Sequence, residues 1–238
     1  MKQLRITTFP LILILFLNVC SSVPEKSSGE VALPNYVTPI KYLALGDSYT
    51  IGESVPESMR WPVQLTDSLS GSGIELADLK IIAKTGWTTA ELQEGISRTE
   101  VSPPYDLVSL LIGVNNQYRG YDIGIYRTEF RELLEQSIQF AGGDSSKVFV
   151  VSIPNYGVTP FGQSRGENRI RTELLEYDAI AKQIASEYGI PFINITPISE
   201  DAKKDMSLIA EDELHPSGKM YSLWVHEMLP TVRSLLVQ

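Results

Sequence analysis

Histidine is scarce in this chain of 238 residues, which contains only His215 and His226. His215 stands three residues after Asp212, close enough for that carboxylate to orient its ring. His226 lies inside a helical pattern with no acid three or four residues before it, which is typical of a surface or packing residue. A serine hydroxyl is a weak nucleophile until such a base accepts its proton. The sequence therefore predicts His215 as a general base, oriented by Asp212, with Ser48 as its nucleophile.

Short apolar runs alternate with helix-length stretches along most of the chain. Continuous apolar strands separated by helices are typical of a parallel sheet covered on both faces. We therefore predict an α/β fold, a three-layer α/β/α sandwich with a central five-stranded parallel sheet. The apolar runs are 42–45, 81–83, 107–112, 148–153 and 192–195, and the helical stretches are about 57–70, 88–99, 123–141, 168–188 and 217–236.

The position of Ser48 relative to this sheet distinguishes it from a second copy of its own motif. Gly46-Asp47-Ser48 follows the first strand, whereas Gly143-Asp144-Ser145 follows a helix and precedes a strand. Sites in parallel sheets form at the carboxyl ends of the strands. The first triplet is therefore predicted to lie at the active edge, and the second to form a turn at the opposite edge with no catalytic role.

Four separated motifs resemble those of SGNH hydrolases, the GDSL esterase/lipase superfamily, over roughly residues 40–236. Tyr49 departs from the usual leucine and Asn116 from the usual aspartate, but neither position carries the chemistry. The matching residues are Gly46-Asp47-Ser48 for the nucleophile block, Gly86 for the glycine block, Asn115 for the asparagine block, and Asp212 with His215 for the last block.

The resemblance implies a flavodoxin-like fold and ester hydrolysis through an acyl-serine, with no cofactor. The backbone N–H groups of Ser48 and Gly86 and the side-chain amide of Asn115 would form the oxyanion hole. Preset donors of this kind are worth roughly 3–4 kcal/mol each in acyl-transfer enzymes.

The implied substrates are lipid acyl esters or O-acetyl groups on glycans. Trp87, Tyr118 and Tyr121 are candidate sugar platforms or acyl-pocket walls, and the sequence leaves both roles open. A non-catalytic alternative is a surface lipoprotein that binds a glycan or a host partner on the same scaffold. The joint presence of a nucleophile, a base and an orienting acid favours the enzyme.

Three other enzyme classes fit the sequence less well. The stretch 157–164 has the spacing of a phosphate-binding loop but carries Gln163 in place of lysine. We expect a mobile loop there, with Tyr156 and Phe161 lining a pocket. A zinc hydrolase needs about three protein ligands, which two histidines and one cysteine supply poorly, so no metal is predicted. The ordinary α/β-hydrolase motif ends in glycine, where this chain has Thr50.

Charge restricts the partners. The formal net charge is −9 at pH 7. Removal of residues 1–19 would take away Lys2 and Arg5 and no acid, leaving 18 basic and 29 acidic residues, a net charge of −11. Phosphate groups repel so acidic a surface, which argues against nucleic acid or an anionic membrane as a directly bound partner. We predict a monomer that binds a small-molecule or glycan ester.

The first residues predict export. Lys2 and Arg5 precede an apolar run over 6–19. Fourteen residues are too few for a bilayer-spanning helix, which needs ~20. A basic start followed by a short apolar run is typical of a signal peptide. We interpret residues 1–19 in this way.

A polar stretch rich in serine, glycine and proline follows, and we interpret 20–38 as a flexible tether and 39–238 as the hydrolase domain. Leu17-Asn18-Val19-Cys20 resembles a bacterial lipoprotein processing site, although Val19 replaces the usual small residue. Cys20 is therefore the expected lipidation site, and the cell envelope the expected location, with a lipid anchor as the membrane contact.

Overall fold

The central layer is a parallel sheet of five strands. The structure, a computed structural model, describes residue 1 and residues 38–237. The strands lie in the order β2-β1-β3-β4-β5, and each neighbouring pair is parallel. This confirms the predicted sheet. Its strands are β1 (Ile40–Gly46), β2 (Leu76–Ala83), β3 (Leu107–Leu111), β4 (Val148–Val151) and β5 (Phe192–Ile193).

The strands differ in burial according to their place in the sheet. Every residue of β3 and β4 is buried, as is nearly all of β1, whereas only Ile82 of β2 is fully buried. The sequence predicted β2 over 81–83 only, and its first five residues were missed. An edge strand is covered less completely than a central one, so it tolerates polar residues such as Asp78 and Lys80 and loses the continuous apolar pattern.

Helices cover the sheet in two layers. In one layer α2 packs against α9, and in the other α5 packs against α3 and α7. Within the described range, no helix is both long enough and apolar enough to cross a bilayer. The helices are α1 (Ser48–Ile51), α2 (Trp61–Ser70), α3 (Thr89–Ser97), α4 (Val114–Tyr118), α5 (Ile123–Phe140), α6 (Pro160–Gln163), α7 (Glu167–Glu187), α8 (Thr196–Glu200) and α9 (Gly218–Leu236).

The predictions for the N-terminus concern residues outside this description. The signal peptide 1–19, the lipidation site Cys20 and the tether 20–38 fall there, apart from Met1 and Thr38. They remain predictions from the sequence.

A buried carboxylate fastens α7 to the segment after β4. Asp178 Oδ1 accepts the N–H of Ile153 at 2.9 Å, and Oδ2 accepts the Thr196 hydroxyl at 3.3 Å. Burial raises the pKa of the Asp178 carboxyl to about 7, although these hydrogen bonds lower it. Burial likewise raises the pKa of Asp47 to about 7. Both folded-state pKa values exceed the unfolded ones, so folding retains protons that the unfolded chain releases, and the contribution of these two groups to stability falls as pH rises from about 4 to about 7.

Asp178→Asn removes one of the two carboxyl groups that keep a proton in the folded state. Between about pH 5 and 6.5, the slope of the unfolding free energy against pH should become less negative by about 1.4 kcal/mol per pH unit. Asp47 should retain a slope of similar size. Urea titrations across this range measure both slopes. An Asp178→Asn slope equal to wild type would contradict the prediction.

Candidate active site

The ends of three strands and one loop bring the predicted residues to the same edge of the sheet. Ser48 follows β1, Gly86 follows β2 and Asn115 follows β3, while His215 lies in the loop before α9. All four line one cleft of about 170 Å³. Its other lining residues are Tyr49, Thr85, Val114, Tyr118, Tyr156, Phe161 and Leu214.

Ser48 is the first residue of α1, directly after the turn that ends β1. Asp47 caps this helix, because its Oδ1 accepts the backbone N–H of Tyr49 at 3.0 Å. Gly46 permits the close approach of the turn, since a Cβ there would lie 2.2 Å from the Thr50 hydroxyl. Ser48 is only 5% exposed, yet it lines the cleft. The turn therefore presents the hydroxyl to a partly enclosed space.

The second copy of the triplet lies where the sequence placed it. Asp144 precedes β4, and its Oδ1 accepts the N–H and the hydroxyl of Ser146 at 3.0 and 2.7 Å. This is a capped turn at the amino edge of the sheet, on the side opposite the cleft. His226 is exposed on α9.

Asp212 and His215 form a close pair. His215 Nδ1 lies 2.5 Å from Asp212 Oδ2, and Asp212 Oδ1 accepts the backbone N–H groups of Leu214 and His215 at 3.0 and 2.9 Å. Burial acts to raise the pKa of the Asp212 carboxyl, but hydrogen bonds from Ser54, His215 and Leu214 lower it to about 2. The carboxylate is ionised at neutral pH, so it can orient the imidazole and stabilise its protonated form.

Ser54 is a partner of Asp212 that the sequence did not predict. Its hydroxyl donates to Asp212 Oδ2 at 2.7 Å. Among residues 38–237, Ser54 and Glu213 are the non-glycine residues with positive φ, at 65° and 62°. Both contact or adjoin Asp212, and backbone strain of this kind collects at functional sites. The chain is thus held in a costly conformation on both sides of the carboxylate.

The ring of His215 is supported by Tyr49. Tyr49 is 3% exposed, and its ring packs edge-on against His215, with 5.8 Å between centroids. In the described part of the chain, Ser48 and His215 line the same cleft, but their side chains share no hydrogen bond. Contacts between base and nucleophile often tighten only when substrate binds.

Three donors suited to an oxyanion meet in the cleft. Gly86 has a φ of 87°, which favours glycine, and a turn closed by Trp87 N–H to Lys84 O holds its peptide. The amide nitrogen of Asn115 donates one hydrogen to the Trp87 carbonyl at 2.9 Å, which leaves its second hydrogen for a ligand. Ser48 N–H lies at the first turn of α1, where the helix itself supplies no acceptor.

Two residues that the sequence motifs did not indicate as functional hold the glycine block in position. Arg119 Nη2 donates to the Gly86 carbonyl at 2.6 Å and also pairs with Glu91 at 3.2 Å. Asn116 is fully buried, and its side chain bonds both the N–H and the hydroxyl of Thr89, at 3.0 and 2.7 Å. These contacts tie α4 to the start of α3, so the Gly86 and Asn115 donors keep a fixed relation.

Aromatic side chains form one wall of the cleft. Tyr118 packs against Tyr156 and Phe161, with centroid separations of 6.3 and 6.1 Å. Tyr156 and Phe161 thus line the pocket as predicted. Trp87 does not line it but packs on Gly95, where an added Cβ would lie 2.1 Å from the indole ring. Trp87 therefore contributes its carbonyl rather than its ring.

The segment proposed as a mobile loop contains short helical turns. Residues 156–158 form a 3₁₀ turn, and α6 follows at once. A Cβ on Gly162 would lie 1.9 Å from the Tyr156 carbonyl, so these turns pack tightly. Gln163 donates to the Val158 carbonyl at 2.9 Å, inside the segment. Among the described residues, no group of three or more His, Cys, Asp and Glu side chains is placed to hold a metal ion.

A serine at a strand end, a carboxylate–histidine pair and preset N–H donors on an α/β/α sandwich define a serine hydrolase. Residues 44–223 match the GDSL-like lipase/acylhydrolase family, and the chain belongs to it. It is therefore an ester-hydrolysing serine hydrolase. A comparison with curated protein sequences gives no match.

Solved structures share the fold. TesA superposes with a TM-score of 0.66 at 16% identity, covering 82% of this chain and 99% of its own. A lipase/acylhydrolase from Enterococcus faecalis gives 0.61 at 21% identity, covering 82% and 96%. Axe2, an acetylxylan esterase from Geobacillus stearothermophilus, gives 0.62 at 19% identity, covering 81% and 94%.

Ser54→Ala tests the support of Asp212. A hydrogen bond to a charged group is worth ~1.5–3 kcal/mol when buried and less when exposed, as here. We expect kcat/KM for an ester to fall about three- to tenfold, mainly through kcat. Ser54→Gly also removes the hydroxyl but relieves the positive φ, so it should lose the same activity while unfolding at higher urea than Ser54→Ala.

The exposed neighbour Ser58 provides a matched control, since Ser58→Ala should retain wild-type kinetics. Recovery of full activity in Ser54→Gly would show that the backbone conformation matters, and not the hydroxyl.

Proposed function

We propose that this hydrolase removes short acyl groups from oxygen esters through an acyl-serine at Ser48. The observation that carries the proposal is the convergence of Ser48, the Asp212-paired His215 and three oxyanion donors on one small cleft. Of the ester substrates that the family hydrolyses, a small cleft favours those with short acyl groups over those with long lipid chains.

The proposed reaction runs in two halves. His215 Nε2 accepts the Ser48 proton as the hydroxyl attacks the ester carbonyl. The N–H groups of Ser48 and Gly86 and the amide of Asn115 stabilise the resulting oxyanion. His215 then gives its proton to the leaving alkoxide. Water, deprotonated by His215, attacks the acyl-serine and releases the acid and the free serine.

The size and walls of the cleft support a short acyl group. The cleft has a volume of about 170 Å³ and lies between the catalytic residues and the rings of Tyr118, Tyr156 and Phe161. Ligand pockets for drug-sized molecules measure ~300–1,000 Å³, so this space suits a group of a few atoms. The shared fold of Axe2, an acetylxylan esterase, is consistent with acetyl as that group.

Export and lipidation at Cys20 form part of the proposal and rest on the sequence alone. They would place the enzyme in the cell envelope, with access to esters outside the cytoplasm. The chain carries a net charge of −9, so its surface is not expected to bind an anionic membrane directly. A lipid anchor would then be what holds the catalytic domain near the membrane.

Ser48→Ala should abolish the activity. Loss of the nucleophile in a serine hydrolase lowers kcat by several orders of magnitude, and we expect at least a ~10³-fold loss with p-nitrophenyl acetate. Mass spectrometry after reaction with diisopropyl fluorophosphate should place the adduct on Ser48. Ser145→Ala changes the second Gly-Asp-Ser triplet and should keep wild-type activity. An active, folded Ser48→Ala protein would overturn the nucleophile assignment.

The acyl-chain preference follows from the cleft. Across p-nitrophenyl esters from C2 to C16, we expect kcat/KM to be greatest at C2 or C4. It should fall at least tenfold by C8, because longer chains cannot be enclosed among the aromatic walls. Initial rates below KM measure this directly. A rise in kcat/KM with chain length would instead support a lipase.

A further inference from the structure

We propose that a groove beside the catalytic cleft binds a saccharide, which is the alcohol half of the ester substrate. The inference rests on the proposed function and adds its substrate class. The groove lies between the segment that follows α4 and the first half of α7, and we call it the α4–α7 groove. It has a volume of about 370 Å³. Its lining residues are Gln117, Tyr118, Arg119, Gly120, Tyr121, Ile123, Arg169, Glu173, Glu176 and Tyr177.

The groove adjoins the cleft. Tyr118 lines both spaces. A third hollow between them shares Tyr118 and Tyr156 with the cleft and shares Gln117 and Arg169 with the groove. A substrate whose acyl group lies by Ser48 can therefore extend its alcohol portion past Tyr118.

The side chains of the groove have the two properties that sugars require. Tyr118 is 50% exposed and Tyr121 is 44% exposed, so part of each ring is accessible to the C–H face of a pyranose. Gln117, Arg169 and Glu173 supply amide, guanidinium and carboxylate groups for hydroxyls. Apolar rings beside a small number of polar groups are typical of a site that orients its ligand.

The charges favour a neutral ligand. Arg169 pairs with Glu173 through contacts of 3.0 and 3.1 Å, so neither presents a full charge. Glu176 adds a negative charge and Arg165, at the hollow, adds a positive one. Arg119, which also lines the groove, pairs with Glu91 at 3.2 Å. Phosphate or sulfate would therefore meet a carboxylate beside Arg119 and beside Arg169, and an acyl chain would desolvate the charged groups of the groove without pairing them. A sugar hydroxyl can both donate and accept, so it suits this mixture.

The polar groups are held in place before a ligand arrives. Tyr156 donates its hydroxyl hydrogen to Gln117 Oε1 at 2.9 Å, and Gln117 Nε2 donates to Glu173 at 2.6 Å. The Tyr177 hydroxyl donates to the Tyr121 carbonyl at 3.3 Å, which steadies the connection that carries Tyr121. Preformed groups lose little side-chain entropy on binding, which lowers one of the costs of recognition. This series of hydrogen bonds starts at Tyr156 in the cleft wall and ends at Glu173 in the groove, so it connects the two spaces.

Tyr121 is the residue to change, because it lines the groove and not the cleft. The assay compares p-nitrophenyl acetate, which has no sugar, with O-acetylated xylobiose and O-acetylated cellobiose. We expect the ratio of kcat/KM for the sugar acetates to that for p-nitrophenyl acetate to fall at least tenfold in Tyr121→Ala, through KM. Tyr121→Phe keeps the ring and should keep the ratio. Leu223→Ala, on α9 in the other helix layer, changes a side chain of similar exposure (42%) and should also keep it.

The outcomes separate this proposal from the one on which it rests. A folded wild-type enzyme that does not hydrolyse p-nitrophenyl acetate contradicts the proposed function, and the groove assignment falls with it. Activity on p-nitrophenyl acetate with none on either sugar acetate leaves the proposed function standing and overturns the groove. A ratio that is the same in wild type and Tyr121→Ala overturns it as well.

Discussion

The hydrogen-bonded carboxylate of Asp212 is the contact on which the catalytic edge depends. It accepts from Ser54 and from the ring of His215, and it caps its own turn through the N–H groups of Leu214 and His215. Ser54 belongs to the segment after β1, and His215 lies far along the chain, ahead of α9. The Asp212 carboxylate thus connects the first and last parts of the domain. The backbone is strained at Ser54, which contacts this carboxylate, and at Glu213, which follows it in sequence.

The architecture makes this closure possible because α9 packs on α2, next to the segment that carries Ser48 and Ser54. Trp224 and Met228 of α9 are fully buried there. Burial of large apolar side chains supplies several kcal/mol, which exceeds the ~1–3 kcal/mol of a strained residue. Core packing therefore offsets the backbone strain at the site. Because α2 and α9 hold the segments around Asp212 together, the Asp212 carboxylate can fix the position of His215.

Sequence patterns predicted the central strands and the long helices because their apolar residues are continuous or evenly spaced. They missed the start of β2, where burial is partial, and short helices such as α4 and α6, whose few residues carry no period. The residues proposed for catalysis could be brought to one edge of the sheet from the sequence, because Ser48, Gly86 and Asn115 each follow a strand end and histidine is scarce. Ser54 and Arg119 could not be predicted, since their partners lie 158 and 33 residues away and no local pattern encodes either contact.

The catalytic cleft and the α4–α7 groove would bind different halves of the ester, an arrangement that suits acyl transfer. In the proposed reaction the cleft of about 170 Å³ around Ser48 would take only a small acyl group, so little binding energy would come from the acyl side. A polar groove can hold a large alcohol portion without touching the reacting atoms. Binding energy from such a remote part raises the rate only if it fixes the ester in attacking geometry. The Tyr156–Gln117–Glu173 chain runs from the cleft wall to the groove, so a ligand ordered in one space is positioned in the other. Rigidity between the two spaces is therefore what would turn sugar recognition into catalysis.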